Sequence, residues 1–173
     1  MQTFLPEPSF SAVASILDDK RLYKQLLEAR QILEILFSEP RTDGKIIPWS
    51  HHPAVLMWKG YEYHLWLYFK RIQEECIERG IDVIKNTDAI RKLVPRILDL
   101  SQDEPVWWSD EKLKDRIIIT HRARLFIKKP DHYARYEQCV EPAKELVCCS
   151  QRCNYYWPTH ITMKKVGRHY VYK

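Results

Sequence analysis

Glycine is scarce, at 4 of 173 residues. That excludes a glycine-rich phosphate loop and a large β-sandwich built on tight turns. Long apolar runs are also missing. None approaches the ~20 residues that cross a bilayer, so no membrane partner is expected. Met1 to Phe10 carries Pro6, Glu7 and Pro8 and has no apolar h-region. It does not read as a signal peptide, and an intracellular location is expected. Neither sign of charge dominates: 28 Lys and Arg against 23 Asp and Glu leave a net +5. That balance permits an anionic partner such as nucleic acid and equally a basic protein that binds none. Cysteine is odd in number: Cys76, Cys139, Cys148, Cys149 and Cys153. An odd set without a secretion signal argues against a disulfide framework. Motifs for a nucleotide phosphate, a serine nucleophile or a zinc protease are absent.

What is present is the composition of a globular protein, 45% apolar and 29% charged. The length fits one domain over residues 1–173, and the pattern is helical nearly throughout. Ser9 or Ser11 caps a short helix through Leu17. Asp18 or Asp19 opens a longer one to about Phe37, with Leu22, Leu26, Ala29, Leu33 and Leu36 as its core stripe. Ser38 to His52 is a loop. Pro53 suits the first turn of a third helix, predicted to run unbroken to Arg79 and stop at Gly80. Its aromatics Trp58, Tyr61, Tyr63, Trp66, Tyr68 and Phe69 occupy several faces and place it in the middle of the domain. Asn86 or Thr87 caps a fourth helix that bends or ends near Pro95. Ser109 or Asp110 opens a fifth through about Ile127, and Pro130 to Tyr136 forms one more turn. From Glu137 the pattern becomes an irregular aromatic and basic tail.

Four constellations could carry chemistry. Arg21, Gln25 and Glu28 share one narrow face of the second helix, flanked by Lys24 and Gln31. A carboxylate at the edge of a core beside cations suits acid–base work; a solvated face with ordinary i,i+4 pairs is the alternative. His121, Arg122 and Arg124, followed by Lys128 and Lys129, spread positive charge as phosphate contacts require, or form a plain basic helix. His132, Tyr133, Tyr136, Tyr155, Tyr156 and Trp157 could stack on bases or close the core. Cys139, Cys148, Cys153 and His160 are zinc-ligand types, but the spacing lacks a clean C-x2-C pair, and buried thiols are favoured. His51 and His52 stand just before a helix start and point neither way.

Taken in order, several segments resemble the pyrimidine dimer DNA glycosylase family, the phage endonuclease V type, and most of all its broader bacterial and viral branch. They are Met1 to Pro6 (MQTFLP), Arg21 to Ile32 (RLYKQLLEARQI), His52 to Glu62 (HPAVLMWKGYE), Glu75 to Gly80, His121 to Leu125 with Lys129 to Tyr133, and Trp157-Pro158. Residues 137–154 read as an insertion relative to that branch. The resemblance implies an all-α fold around a long central helix and a DNA glycosylase with abasic-site lyase activity. It implies double-stranded DNA as partner, with no metal or organic cofactor; a monomer is the default expectation. It also implies that the α-amine at the start of the chain is the nucleophile and Glu28 the acid–base residue. Gln2 is too large for the initiator to be removed easily, so the amine is that of Met1. Lys24, one turn from Glu28, is the fallback nucleophile. Positions flanking the catalytic Glu that are Arg in the founding enzyme are Leu27 and Gln31 here, with Arg30 offset by one. The expected DNA-contact set is Gln2, Arg21, Gln25, Arg30, Gln31, His121, Arg122, Arg124, Lys128 and Tyr133.

Overall fold

The apolar spacing of the sequence dictates three long helices. In a computed structural model, which describes residues 1–39, 42–147 and 155–158 and the backbone of 163–166 and 169–172, two of them are present nearly as predicted and the other is shortened at its start. Helix α1 spans Phe10–Ile16, and the Ser9 hydroxyl caps it by accepting from the Ala12 N–H at 3.2 Å. Helix α2, Asp19–Leu36, buries Leu22, Leu26, Ala29, Ile32 and Leu33 completely. Its leading residue Asp18 does not cap it; the carboxylate instead accepts from Arg21 at 2.8 Å and from the Tyr133 hydroxyl at 2.7 Å. Helix α8, Glu111–Lys128, is capped by Asp110 Oδ1 on the Leu113 N–H.

The third predicted helix is broken in two. Helix α3 is the single turn Pro53–Leu56, and α4 spans Glu62–Glu78. Gly60, at φ +86°, makes the break, and Glu62 Oε1 accepts its N–H at 2.9 Å. A left-handed residue cannot continue a right-handed helix. The stripe Leu65, Tyr68, Phe69, Ile72 and Cys76 then seats α4 against α2 and α1. Gly80, at φ +70°, ends α4 as the Ile81 N–H returns to the Cys76 carbonyl at 2.8 Å.

Short helices α5 (Ile84–Arg91), α6 (Val94–Leu98) and α7 (Val106–Ser109) complete the layer over α2, α4 and α8. A 3₁₀ turn, Ala134–Cys139, leads into α9, Val140–Leu146, which packs on α8. The predicted single turn therefore begins later and continues as a helix into the segment read as an insertion. The class is all-α, as expected, and the C-terminal segment adds a two-stranded antiparallel hairpin, β1 (Met163–Val166) and β2 (His169–Tyr172). No helix among the described residues is long and apolar enough to cross a membrane.

The start of the chain decides the site. Chain ends are usually loose unless something ties them down. Here Thr3, Phe4 and Leu5 are buried as an extended segment among α2, α4 and α8. An extended segment outside a sheet leaves its N–H groups without ladder partners, and buried ones must be met by side chains.

Candidate active site

Side chains of two helices meet them. Glu28 Oε2 accepts the Gln2 N–H at 3.1 Å, Gln25 Oε1 accepts the Phe4 N–H at 2.6 Å, and His121 Nδ1 accepts the Leu5 N–H at 2.8 Å. The indole N–H of Trp58 donates to Thr3 Oγ1 at 3.0 Å, and the Tyr68 hydroxyl bonds both the Phe4 carbonyl and Gln25 Oε1. Farther along, Arg122 Nε donates to the Pro6 carbonyl at 2.6 Å and its terminal nitrogen pairs with Glu7 at 3.0 Å. Each residue from Gln2 to Glu7 is thus fastened, and Met1, next to the Gln2 N–H that Glu28 accepts, shares a cavity lining with Glu28.

Glu28 stands between two open cavities. One, of about 500 Å³, is lined by Met1, by Lys24, Glu28, Gln31, Glu34 and Ile35 of α2, and by Ser38, Ile47, Pro48 and Trp49 of the loop that follows. The second, of about 350 Å³, is lined by Gln2, Lys20, Arg21, Lys24, Glu28, Lys128 and Tyr155. The first has a mixed polar and apolar lining, whereas four cations line the second. Glu28 Oε1 is 3.7 Å from Nζ of Lys24, an exposed cation paired with a buried carboxylate. Burial lowers the proton affinity of Lys128, and the neighbouring charges of Arg124 and Arg21 lower it further.

Two histidines near the chain start, His52 and His121, are held toward neutrality. Burial, and then the charge of the nearby α-amine, brings His52 down to about 4. Its Nδ1 accepts from the Ala54 N–H at 3.1 Å, so the neutral ring carries its proton on Nε2. His121 is fully buried and brought down to about 3 by burial alone.

The expected site residues separate into groups. Met1, Gln2, Arg21, Lys24, Gln25, Glu28, Gln31 and Lys128 converge around Glu28. Arg30 does not line either cavity; it donates to Asn86 on α5 and to Glu34, its own helix neighbour, which lines the first cavity. Gln25, His121 and Tyr133 have no exposed surface and serve the interior. Tyr133 bonds Asp18, and Gln25 and His121 hold the chain start. Arg122 is committed to Pro6 and Glu7, and Arg124 lies over the Tyr155 ring at 5.8 Å. Cys139 is buried, while Cys148, Cys153 and His160 lie outside the described residues. Among the described residues no group of three or more His, Cys, Asp or Glu is placed to hold a metal ion.

The sequence reading missed Trp58 and Tyr68 as holders of the chain start, and Trp49 as a cavity wall.

The N-terminal segment, the Glu28 helix and the Trp49 loop all fall within the part of the chain that matches a known family. A sequence profile for pyrimidine dimer DNA glycosylases matches residues 1–89, just over half of the 173. No curated protein and no solved structure gives a match. With its anchored start and its carboxylate inside the matched region, the chain belongs to the pyrimidine dimer DNA glycosylase family.

Proposed function

We propose that the protein is a DNA glycosylase and abasic-site lyase that attacks damaged or modified pyrimidine nucleotides with the Met1 α-amine and uses Glu28 as its acid–base group. One observation carries this reading: the first peptide N–H of the chain is bonded to the Glu28 carboxylate, between two cavities open to solvent. An α-amine has an ordinary pKa near 7.7–8, so much of it is neutral and nucleophilic at neutral pH. Tethering the amine one residue from that bond replaces a chance encounter by a held chain start.

The amine lone pair forms a bond to the sugar C1′, and the C1′–base bond breaks with its electron pair leaving on the base. Loss of the amine protons and opening of the sugar ring, whose O4′ gains a proton, give the Schiff base. The carboxylate stabilises the positive charge on the sugar. It then takes a proton from C2′, and the C3′–O bond breaks with its pair leaving on the phosphate. Water hydrolyses the imine and frees the amine. Lys20, Arg21, Lys24 and Lys128 supply the positive wall for the DNA backbone. Lesions lower the cost of drawing a nucleotide out of the stack.

The test is borohydride trapping on a duplex with one abasic site. The expected result is a covalent adduct that peptide mapping assigns to Met1, with strand nicking at least 100-fold slower in Glu28→Gln. An adduct on Lys24 would move the nucleophile to the fallback residue. No adduct, together with DNA affinity that falls with salt, would leave a non-catalytic DNA-binding module.

A further inference from the structure

Gln2 sets an acceptor among donors. Its side chain is 8% exposed, and among the described residues nothing donates to its buried Oε1. The nitrogen of the same amide fixes which way it faces. It donates to the Thr3 carbonyl at 3.0 Å and lies 3.4 Å from Nε2 of His121. Reversing the amide would set its oxygen against the Thr3 carbonyl oxygen, 3.0 Å away. The backbone N–H of Gln2 is held as well, by Glu28 at 3.1 Å. A buried amide oxygen without a donor destabilises the free protein, and it is satisfied when a ligand brings the donor.

The cavity narrows what that donor can be. Gln2 lines the second one with Lys20, Arg21, Lys24, Glu28 and Lys128. Phosphate brings acceptors, which suit the cations and not an amide oxygen. A nucleotide within a DNA strand has no sugar hydroxyl either: O3′ and O5′ are esterified, C2′ carries only hydrogen, and O4′ is a ring ether. The base has N–H donors, but it hangs from C1′ and leaves as the amine bond forms. The reaction itself makes a sugar hydroxyl. On the amine mechanism above, the C1′–O4′ bond breaks with its pair on the oxygen, and one proton shed by the amine ends there. The nitrogen lone pair completes the C1′=N bond. C4′, which bears the new hydroxyl, lies between C3′ and C5′, and both of those carry phosphates. Cations that hold the phosphates therefore draw the hydroxyl toward the cavity that Gln2 lines. We propose that Gln2 Oε1 accepts the hydrogen bond of this O4′ hydroxyl, so that Gln2 contacts the substrate only as the ring-opened Schiff base. A contact made only after ring opening favours the intermediate and adds nothing to binding of the intact strand.

The experiment measures the rate of borohydride trapping by wild type, Gln2→Met and Gln2→Asn on two duplexes. One carries a natural abasic site. The other carries an open-chain aldehyde with hydrogen in place of the 4′ hydroxyl, which forms the same imine without the new donor. Methionine removes the amide at similar length, and asparagine draws its oxygen back by one methylene. Both are large enough to keep Met1 as the first residue. A hydrogen bond gained by a buried acceptor is worth about tenfold. Each variant is expected to slow trapping on the natural duplex about tenfold more than on the 4′-deoxy duplex. Affinity for a duplex with tetrahydrofuran, whose ring cannot open, is expected to stay within about threefold of wild type. Equal slowing on the two aldehyde duplexes, or none on either, overturns the proposal, because Gln2 then does no more than hold the chain start. So does a tenfold loss of affinity for tetrahydrofuran, which places the contact before ring opening. If Gln2→Met does not fold, Gln2→Asn decides. Adducts without the selective loss remove the Gln2 contact alone, and a wild type that forms no adduct on either duplex removes the amine mechanism on which it rests.

Discussion

Gln25 has no exposed surface, and its amide oxygen accepts both the Phe4 N–H and the Tyr68 hydroxyl while its nitrogen is 3.5 Å from Glu28. Replacing it with Ala leaves the Phe4 N–H without an acceptor, whereas Tyr68 can still donate to the Phe4 carbonyl. One orphaned buried donor costs about 1–3 kcal/mol. Gln25→Ala should therefore lose about that much stability in urea unfolding. It should also slow abasic-site nicking by more than the loss of folded protein explains, because the chain start is no longer held in register with Glu28. Nicking at the wild-type rate by the folded variant would show that Gln25 does not set the position of the amine. Helical periodicity made the common face of Arg21, Gln25 and Glu28 legible. It could not show what Gln25 and Glu28 bond, because their partner is the non-helical chain start, which has no period. His121 illustrates the same limit. Beside Arg122 and Arg124 it reads as part of a basic surface, yet it faces inward and accepts from Leu5.

At the scale of elements, the break between α3 and α4 shapes the wall that carries Trp58 and Met57, both fully buried. A Cβ at Gly60 would meet nothing within 4 Å, so only its φ of +86° resists substitution. A left-handed L-residue costs about 1–2 kcal/mol. Gly60→Ala should lose that amount in thermal or urea unfolding, while Gly60→Asn, which tolerates the left-handed region, should lose less. A loss several times larger would mean that the turn is packed rather than merely twisted. This break was hidden by the strong aromatic pattern on both sides of it, which runs in phase enough to suggest one helix. Helix α9 was hidden for the opposite reason. It offers only two apolar turns and contains Pro142, which reads as a breaker although the first turn of a helix has no need of that N–H. The caps at Ser9 and Asp110 were legible because a side chain bonding a backbone two or three residues ahead is a local event.

For the whole molecule, buried His121 and half-buried His52 and His64 predict an acid-sensitive fold. Burial holds His121 at about 3 and, with the α-amine charge, His52 at about 4, and burial also lowers His64 against the opposing pull of Glu104 and Asp103. Each ring is therefore neutral in the folded protein and takes a proton on unfolding below the ordinary histidine value near 6.5. The unfolded chain binds more protons than the folded one throughout the interval from about 6.5 down to each folded value. Stability must then rise with pH across it. Above about pH 7 the histidines contribute no slope, because both states are neutral. His121 alone supplies up to about 1.4 kcal/mol per pH unit. Urea unfolding at pH 5, 6, 7 and 8 should show a plateau at the two higher values and a fall at the two lower, before most carboxylates titrate. His121→Gln keeps an acceptor for the Leu5 N–H but cannot be protonated. It should be less stable at pH 8 and yet show a shallower fall toward pH 5. An unchanged slope in that variant would mean that His121 reaches water in the native state, and with it the buried start of the chain that Leu5 shares.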